Sequence, residues 1–241
     1  MMASIWGAAL AALVLPAARA EPLGIPGSWA LDMRVVSAAE IPVIGEVRST
    51  TVTRGLLERG DGSAEDVSRL TVCDVGLTAQ SGPIRSSLPE AFLRAFPVRT
   101  VSVRLDEDRY TVDLGVTSLG YDPVASDDAL PSSSEDPTVV DFEGDGAPGF
   151  TVHVDVPLFP TVSIHLVQVT QSVLEGVWAG PDRVVGRPLV SRLEQRVLGA
   201  SIGLFARSPR IHPVDGAGSF ELRRLPDGST CEAVLDLWDP L

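Results

Sequence analysis

The stretch TVSVRLDEDRYTVDLGV, residues 100–116, decides the fold of this chain. Apolar and polar side chains alternate in both of its halves, and the apolar positions are Val101, Val103, Leu105, Tyr110, Val112 and Leu114. A period of two is typical of antiparallel strands that bury one face and expose the other. The acidic triplet at 106–108 separates the halves and predicts a turn. We therefore expect an antiparallel β-hairpin in this stretch.

The same alternation continues through the rest of the chain. It predicts further strands near residues 29–35, 43–57, 67–77, 152–156, 162–172, 175–186, 200–206, 218–225 and 230–236. Many strands at short spacing favour an all-β fold over a parallel α/β sheet. We expect one β-rich domain at 21–241, built as an antiparallel β-barrel or, failing that, as a β-sandwich.

Two short segments carry the signature of a helix start. Ser87-Leu88-Pro89-Glu90 fits a capping box and predicts a helix that ends near Phe96. Ser191-Arg192-Leu193-Glu194 fits a second box, and Leu189 and Val197 share the helical face of Leu193. The second segment fits a strand equally well, so the sequence predicts one or two short helices.

Residues 1–20 have the pattern of a secretory signal peptide. An apolar stretch at 5–16 precedes Ala18-Arg19-Ala20, whose small residues predict cleavage before Glu21. The apolar stretch is shorter than the roughly 20 residues that a membrane-spanning helix needs. We expect the mature protein to be exported to the periplasm or the extracellular space.

Acidic side chains outnumber basic ones, with 32 Asp and Glu residues against 19 basic residues and a net charge of −13. No Arg or Lys occurs between Arg109 and Arg183, and many acids fall in the segment 120–149, whose composition predicts an exposed loop region. The acidic balance argues against a nucleic-acid partner, which needs a positive surface. We expect a monomer that does not span a membrane.

The chain has two cysteines, Cys73 and Cys231. An even pair in an oxidising compartment usually forms a disulfide bond, which here would join an early strand to a C-terminal strand. Two free buried thiols are the alternative.

The segment 141–149 has the spacing of a cation-binding loop. Asp141, Glu143 and Asp145 place carboxylates at positions 1, 3 and 5, and a glycine follows at position 6. This pattern resembles the calcium loops of EF-hand and thrombospondin type 3 proteins. The resemblance implies calcium bound by these three side chains and by the Ala147 carbonyl. A metal-free turn is the alternative, because Val152 stands where an EF-hand has a bidentate Glu.

Gly27-Ser28-Trp29 opens the first predicted strand of the mature chain. This motif is similar to the G-x-W start of lipocalins, which are secreted barrels that hold small apolar ligands. The resemblance implies a closed barrel whose base is covered by Trp29. The interior of a small barrel either holds one ligand or is filled by side chains.

Two patterns would support an enzyme instead. Ser201 lies in a G-x-S-x-G motif at 199–203, the pattern of the nucleophile elbow of α/β-hydrolases, although the surrounding run favours a buried strand. His153 and His165 lie on neighbouring predicted strands, and a three-residue loop would place them opposite each other with Asp155 on the same face. That arrangement could bind zinc or transfer protons.

The sequence therefore predicts an exported, non-catalytic β-barrel protein. Its expected partner is a small apolar ligand or a component of the cell envelope, and calcium is its expected cofactor, with a structural role. A secreted hydrolase that uses Ser201 or a His153, His165 and Asp155 metal site is one alternative. A purely structural envelope protein is the other.

Overall fold

The computed structural model describes residues 26–41, 45–60, 65–79, 85–126, 129–155 and 160–241, so the predicted signal peptide lies outside it. The strands are β1 Gly27–Ile41, β2 Gly45–Arg59, β3 Glu65–Ala79, β4 Arg85–Ser87, β5 Arg99–Asp106, β6 Arg109–Leu119, β7 Phe150–Asp155, β8 Val162–Gly180, β9 Arg183–Ala200, β10 Arg210–Pro213 and β11 Ser219–Arg224. Two α-helices, α1 Glu90–Ala95 and α2 Cys231–Leu235, and a 3-10 turn at Gly203–Phe205 complete these elements.

The hairpin predicted at 100–116 is confirmed. β5 and β6 pair antiparallel, with Val103 opposite Val112 and Asp106 opposite Arg109. The two-residue turn between them holds Glu107 at a φ of 53°. The apolar positions of both strands face the protein core, as their alternation requires.

The strands form one antiparallel sheet that closes on itself. The order β8-β6-β5-β3-β2-β1-β11-β9 returns to β8, because β9 also pairs with β8. Each strand of this ring therefore has a hydrogen-bonded neighbour on both sides. β7 extends the ring from the first part of β8, β4 pairs with β7, and β10 pairs with the end of β1. The predicted all-β fold with one or two short helices is confirmed.

Side chains form a core inside the ring. Its core cluster draws on all eight ring strands and consists of Trp29, Leu31, Leu57, Leu70, Val101, Val103, Tyr110, Val112, Leu114, Leu174, Val184, Phe220 and Leu222. Trp29 is fully buried in it. Met33, Leu105 and Trp178 pack against the cluster.

A second core lies under α1. The predicted helix is confirmed at Glu90–Ala95, but Pro89 is its N-cap and Ser87 belongs to β4, so the capping box does not form. Phe92 is buried and contacts the rings of Phe96, Phe142 and Phe150 at centroid distances of 5.1–5.4 Å. These contacts explain the short helix, because aromatic packing stabilises it where the side-chain cap is missing.

The segment from Ser191, which the sequence left open between a helix and a strand, lies in the strand β9, where it pairs with β8. Two predicted strands are wrong. The strand expected at 200–206 does not form, because β9 ends at Ala200 and the 3-10 turn follows it. The strand expected at 230–236 is the helix α2, whose Val234 packs on the outer face of the sheet against Ala30 and Leu56.

The predicted disulfide bond between Cys73 and Cys231 is present, with a Cα–Cα distance of 5.3 Å. It joins β3 to the first residue of α2, and not to a C-terminal strand. Among the described residues no helix has the length and apolar character needed to cross a membrane.

Candidate functional site

The predicted calcium loop is held together by its own carboxylates. The two carboxylate oxygens of Asp141 accept hydrogen bonds from the backbone N–H groups of Gly144, Asp145 and Gly146 at 2.8, 3.1 and 2.8 Å. Asp145 accepts bonds from the Ala147 N–H at 2.8 Å and from the hydroxyl of Thr151 at 2.9 Å. Short-range bonds of this kind shape the turn without a metal.

Glu143 is the least satisfied acid of this loop. Its Oε1 accepts a 2.6 Å bond from the Thr151 N–H, whereas its Oε2 is buried and has no hydrogen-bond partner within the described part of the chain. Burial raises the pKa of Glu143, and the nearby charges of Asp145 and Asp141 raise it further against the opposing bonds from Thr151. In the ranges that the structure describes, no three His, Cys, Asp or Glu side chains form a group that could hold a metal ion. Calcium binding therefore stays a prediction.

The two histidines share a sheet face but are not opposite each other. In the β7–β8 pairing His153 faces Ser163 and Thr151 faces His165, a shift of two residues from the predicted register. The Nδ1 atom of His153 lies 3.2 Å from the Ser163 hydroxyl, and that of His165 lies 3.2 Å from the Thr151 hydroxyl. The two imidazoles thus have separate partners.

Asp155 is also engaged elsewhere, because its carboxylate accepts a 2.6 Å hydrogen bond from the Thr161 hydroxyl. The described contacts of His153, His165 and Asp155 therefore do not assemble them into the metal or acid–base site that the sequence suggested.

Ser201 continues the pairing of β9 with β8. Its N–H donates to the Ser163 carbonyl at 2.9 Å, and its Oγ accepts from the Ser163 N–H at 3.0 Å. A nucleophile elbow needs a strand, a sharp turn and an α-helix, whereas the 3-10 turn Gly203–Phe205 follows here. The surrounding run is also half-buried or exposed, and not the buried strand that we expected.

The sequence did not predict a groove on the outer face of the sheet. The groove lies where β1, β9, β11 and the C-terminal segment meet, and it has a volume of about 480 Å³. We call it the arginine groove, after the three guanidinium groups in its lining. Its charged and aromatic lining consists of Asp32, Arg34, Arg187, Glu221, Arg223 and Trp238.

Trp238 forms an aromatic wall of the arginine groove. Its ring is in cation–π contact with two arginines, with the guanidinium carbons of Arg54 and Arg223 at 5.8 and 5.4 Å from the ring centroid. Arg54 is buried, pairs with Asp32 at 3.4 Å and donates a 2.5 Å bond to the Asp239 carbonyl. These contacts fix the position of the Trp238 ring.

Glu221 organises two further arginines. Its Oε1 accepts hydrogen bonds from Arg183 at 2.7 Å and from Arg223 at 2.6 Å. Burial alone would raise the pKa of Glu221, but the bonds from Arg223 and Arg183 outweigh it and lower the pKa overall. The hydrogen bond to Glu221 in turn raises the pKa of Arg223.

The groove is a positive region on an acidic protein. Its lining has three arginines, at 34, 187 and 223, against Asp32 and Glu221, which leaves a local charge of +1 on a chain of −13. Arg34 pairs with Asp32 at 2.9 Å and Arg223 with Glu221 at 2.6 Å. Arg187 is exposed and makes no ion pair or side-chain hydrogen bond within the described part of the chain. Its guanidinium is available to an external anion.

Sequence patterns carried little signal for this groove. Asp32 and Arg34 alternate with buried residues on β1, as do Glu221 and Arg223 on β11. Each pair has the appearance of an ordinary polar strand face. Only the order β9-β11-β1 in the sheet brings these faces together.

Comparisons with known proteins identify no family. No family model matches the chain, and no curated protein matches it. Among solved structures, an acetoacetate decarboxylase-like enzyme from Sphingomonas wittichii RW1 aligns with 90% of this chain and 100% of its own at 12% identity. The TM-score of that alignment is 0.14, which is too low to support an argument about fold or function.

Proposed function

We propose that this protein is an exported, non-catalytic binding protein that takes an anionic ligand in the arginine groove. The observation that carries the proposal is the group of three guanidiniums, from Arg34, Arg187 and Arg223, beside the ring of Trp238. A guanidinium donates paired hydrogen bonds to a carboxylate or a phosphate, and it does so with a fixed geometry.

The lining also limits the shape of the ligand. Trp238 and the apolar side chain of Val185 supply surface for a flat or apolar body beside the anionic group. The side-chain core inside the ring supports a site on the outer face for a ligand of this size, because buried side chains lie where a barrel carrier would hold its ligand. The ligand class is therefore a carboxylate or phosphate attached to an apolar group.

Export is supported by two features of the chain. The segment 1–20 has the pattern of a cleaved signal, and the Cys73–Cys231 disulfide bond is typical of an oxidising compartment. The hydrolase alternative has weaker support, because Ser201 pairs with the backbone of Ser163.

Calorimetric titration tests the proposal, with benzoate and inorganic phosphate as probes. We expect saturable binding of benzoate, and Arg187→Gln should weaken it by about tenfold, the loss typical of one charged hydrogen-bonded pair. Arg94→Gln is the matched control, since it makes the same charge change on α1, away from the groove. The proposal fails if neither probe binds, or if both variants weaken binding equally.

A further inference from the structure

Four buried hydrogen-bond donors lie at one end of the ring interior. Trp29 and Tyr110 are 0% exposed and Ser68 is 1% exposed. The Nε1 atoms of Trp29 and Trp178, the hydroxyl of Tyr110 and the hydroxyl of Ser68 have no hydrogen-bond partner within the described part of the chain. These groups are on β1, β3, β6 and β8.

The three aromatic residues are close neighbours. The ring of Trp178 meets the rings of Trp29 and Tyr110 edge-on, with centroid distances of 5.8 Å in both cases. The guanidinium of Arg59 lies 5.8 Å from the Tyr110 ring centroid, and Arg59 pairs with the buried Asp66 at 3.5 Å. Ser68 lies two residues beyond Asp66 on β3, and its side chain therefore points to the same side of the sheet.

The free-energy cost of leaving these buried donors unpaired indicates that they have acceptors. A buried donor without a partner costs about 1–3 kcal/mol. Four such donors would cost about 4–12 kcal/mol, which is comparable with the whole stability of a domain, roughly 5–15 kcal/mol. An indole N–H can only donate, so the missing partner of each tryptophan must be an acceptor. Burial raises the pKa of Tyr110 to about 12, and its hydroxyl is therefore a donor at neutral pH as well.

We propose that this end of the ring interior is a binding site for small hydrogen-bond acceptors, held by the indoles of Trp29 and Trp178 and the hydroxyl of Tyr110. The shared chemistry is an acceptor oxygen, which either an ordered water or a small organic molecule supplies. The site is separate from the arginine groove, which lies on the opposite face of the sheet.

The sign of one substitution tests this site. If the Tyr110 hydroxyl is bonded to an occupant, Tyr110→Phe removes that bond and lowers the melting temperature, by about 3 °C for a chain of this size. If the hydroxyl is unpaired, the same change removes a buried polar group and leaves the melting temperature unchanged or higher. Ser68→Ala gives a second, equally small change with the same expected sign.

Tyr121→Phe is the matched control for the loss of one buried hydroxyl hydrogen bond, because the Tyr121 hydroxyl already bonds to the Ser118 hydroxyl within the protein. A high-resolution crystal structure gives an independent measurement. We expect non-protein density within hydrogen-bond distance of the Trp29 or Trp178 Nε1 atom. An empty site, or a melting temperature that is unchanged or higher in both Tyr110→Phe and Ser68→Ala, overturns the proposal.

Refolding distinguishes the two sources of the oxygen. The disulfide-intact protein is unfolded, washed free of small molecules, refolded and compared with the protein as purified. An organic occupant adds mass in native mass spectrometry and makes the purified sample melt higher than the refolded one. If the occupant is water, both samples have the same mass and melting temperature. Either result identifies the molecule that gives rise to the non-protein density.

Discussion

At the scale of single residues, a glycine holds the acidic loop (residues 141–149) against β8, because it has no side chain. Gly149 has a φ of +82°, and a Cβ built on it would lie 2.2 Å from the Leu166 carbonyl oxygen. Its N–H donates a hydrogen bond to the Val140 carbonyl, and its carbonyl accepts one from the Phe142 N–H. These bonds hold the two ends of the acidic loop together. Any larger residue must displace the β8 backbone, because a contact of 2.2 Å is far below normal packing distances.

We predict that Gly149→Ala lowers the free energy of unfolding by about 3 kcal/mol or more, since strain and a backbone clash add together. The control is Gly146→Ala, whose φ of +83° is similar but whose added Cβ would meet nothing within 4 Å. That control should cost only about 1–2 kcal/mol. Denaturant unfolding measures both values, and equal losses would contradict the role given to Leu166.

At the scale of elements, the acidic loop connects β7 to the aromatic side chains of the second core. Phe142 belongs to the loop and contacts the rings of Phe92 and Phe96, while the hydroxyl of Thr151 on β7 bonds to Asp145. The three acids of the loop repel one another, and burial already disfavours the charge of Glu143. The metal-free loop therefore loses stability as the pH rises through the raised pKa of Glu143.

We predict that calcium raises the melting temperature of the parent protein, because a cation relieves this repulsion and binds the buried Glu143 oxygen. Asp141→Ala combined with Asp145→Ala should remove the gain, even though these changes also weaken the turn itself. The quantity to compare is the calcium-dependent shift at constant ionic strength, by differential scanning calorimetry.

Asp122→Ala is the control for the calcium experiment. Asp122 lies in the same acidic region but bonds locally to Val124 and Ala125, so its loss should leave the shift intact. A parent protein whose melting temperature does not respond to calcium would show that the loop is a metal-free turn.

At the scale of the whole molecule, the disulfide bond connects two distant parts of the chain. It closes a loop across a sequence separation of 158 and holds α2 against the outer face of the sheet. The segment after α2 carries Trp238, so the same bond positions one wall of the arginine groove. Both the stability of the fold and the shape of the groove therefore depend on it.

We predict that reduction lowers the free energy of unfolding by about 4–5 kcal/mol, the chain-entropy value for so long a loop. Benzoate binding should weaken at the same time, because the disulfide bond no longer holds the segment that carries Trp238 in place. The Cys73→Ser, Cys231→Ser double variant is the control and should not respond to reductant, since the chain has no other cysteine. Unchanged stability after complete reduction would contradict this account.

A local pattern predicted the correct element where it fitted the hydrophobic period of a strand or of a helix, but not both. The hairpin at 100–116 alternates strictly, and its strands formed as expected. Leu189, Leu193 and Val197 are four residues apart, and this spacing suits one face of a helix as well as one face of a strand. Pairing with the long strand β8 decided for the strand. The short apolar run at 233–235 was predicted as part of a strand, and it forms the helix α2.

The sequence by itself determined the all-β character, the disulfide pair and the acidic loop, because alternation, cysteine number and charge are local or countable properties. Only the tertiary structure decided which polar faces meet. Strand order placed Arg34, Arg187 and Arg223 around one groove, and strand register separated His153 from His165. These outcomes depend on pairing between residues far apart in the chain, and no local pattern encodes that pairing.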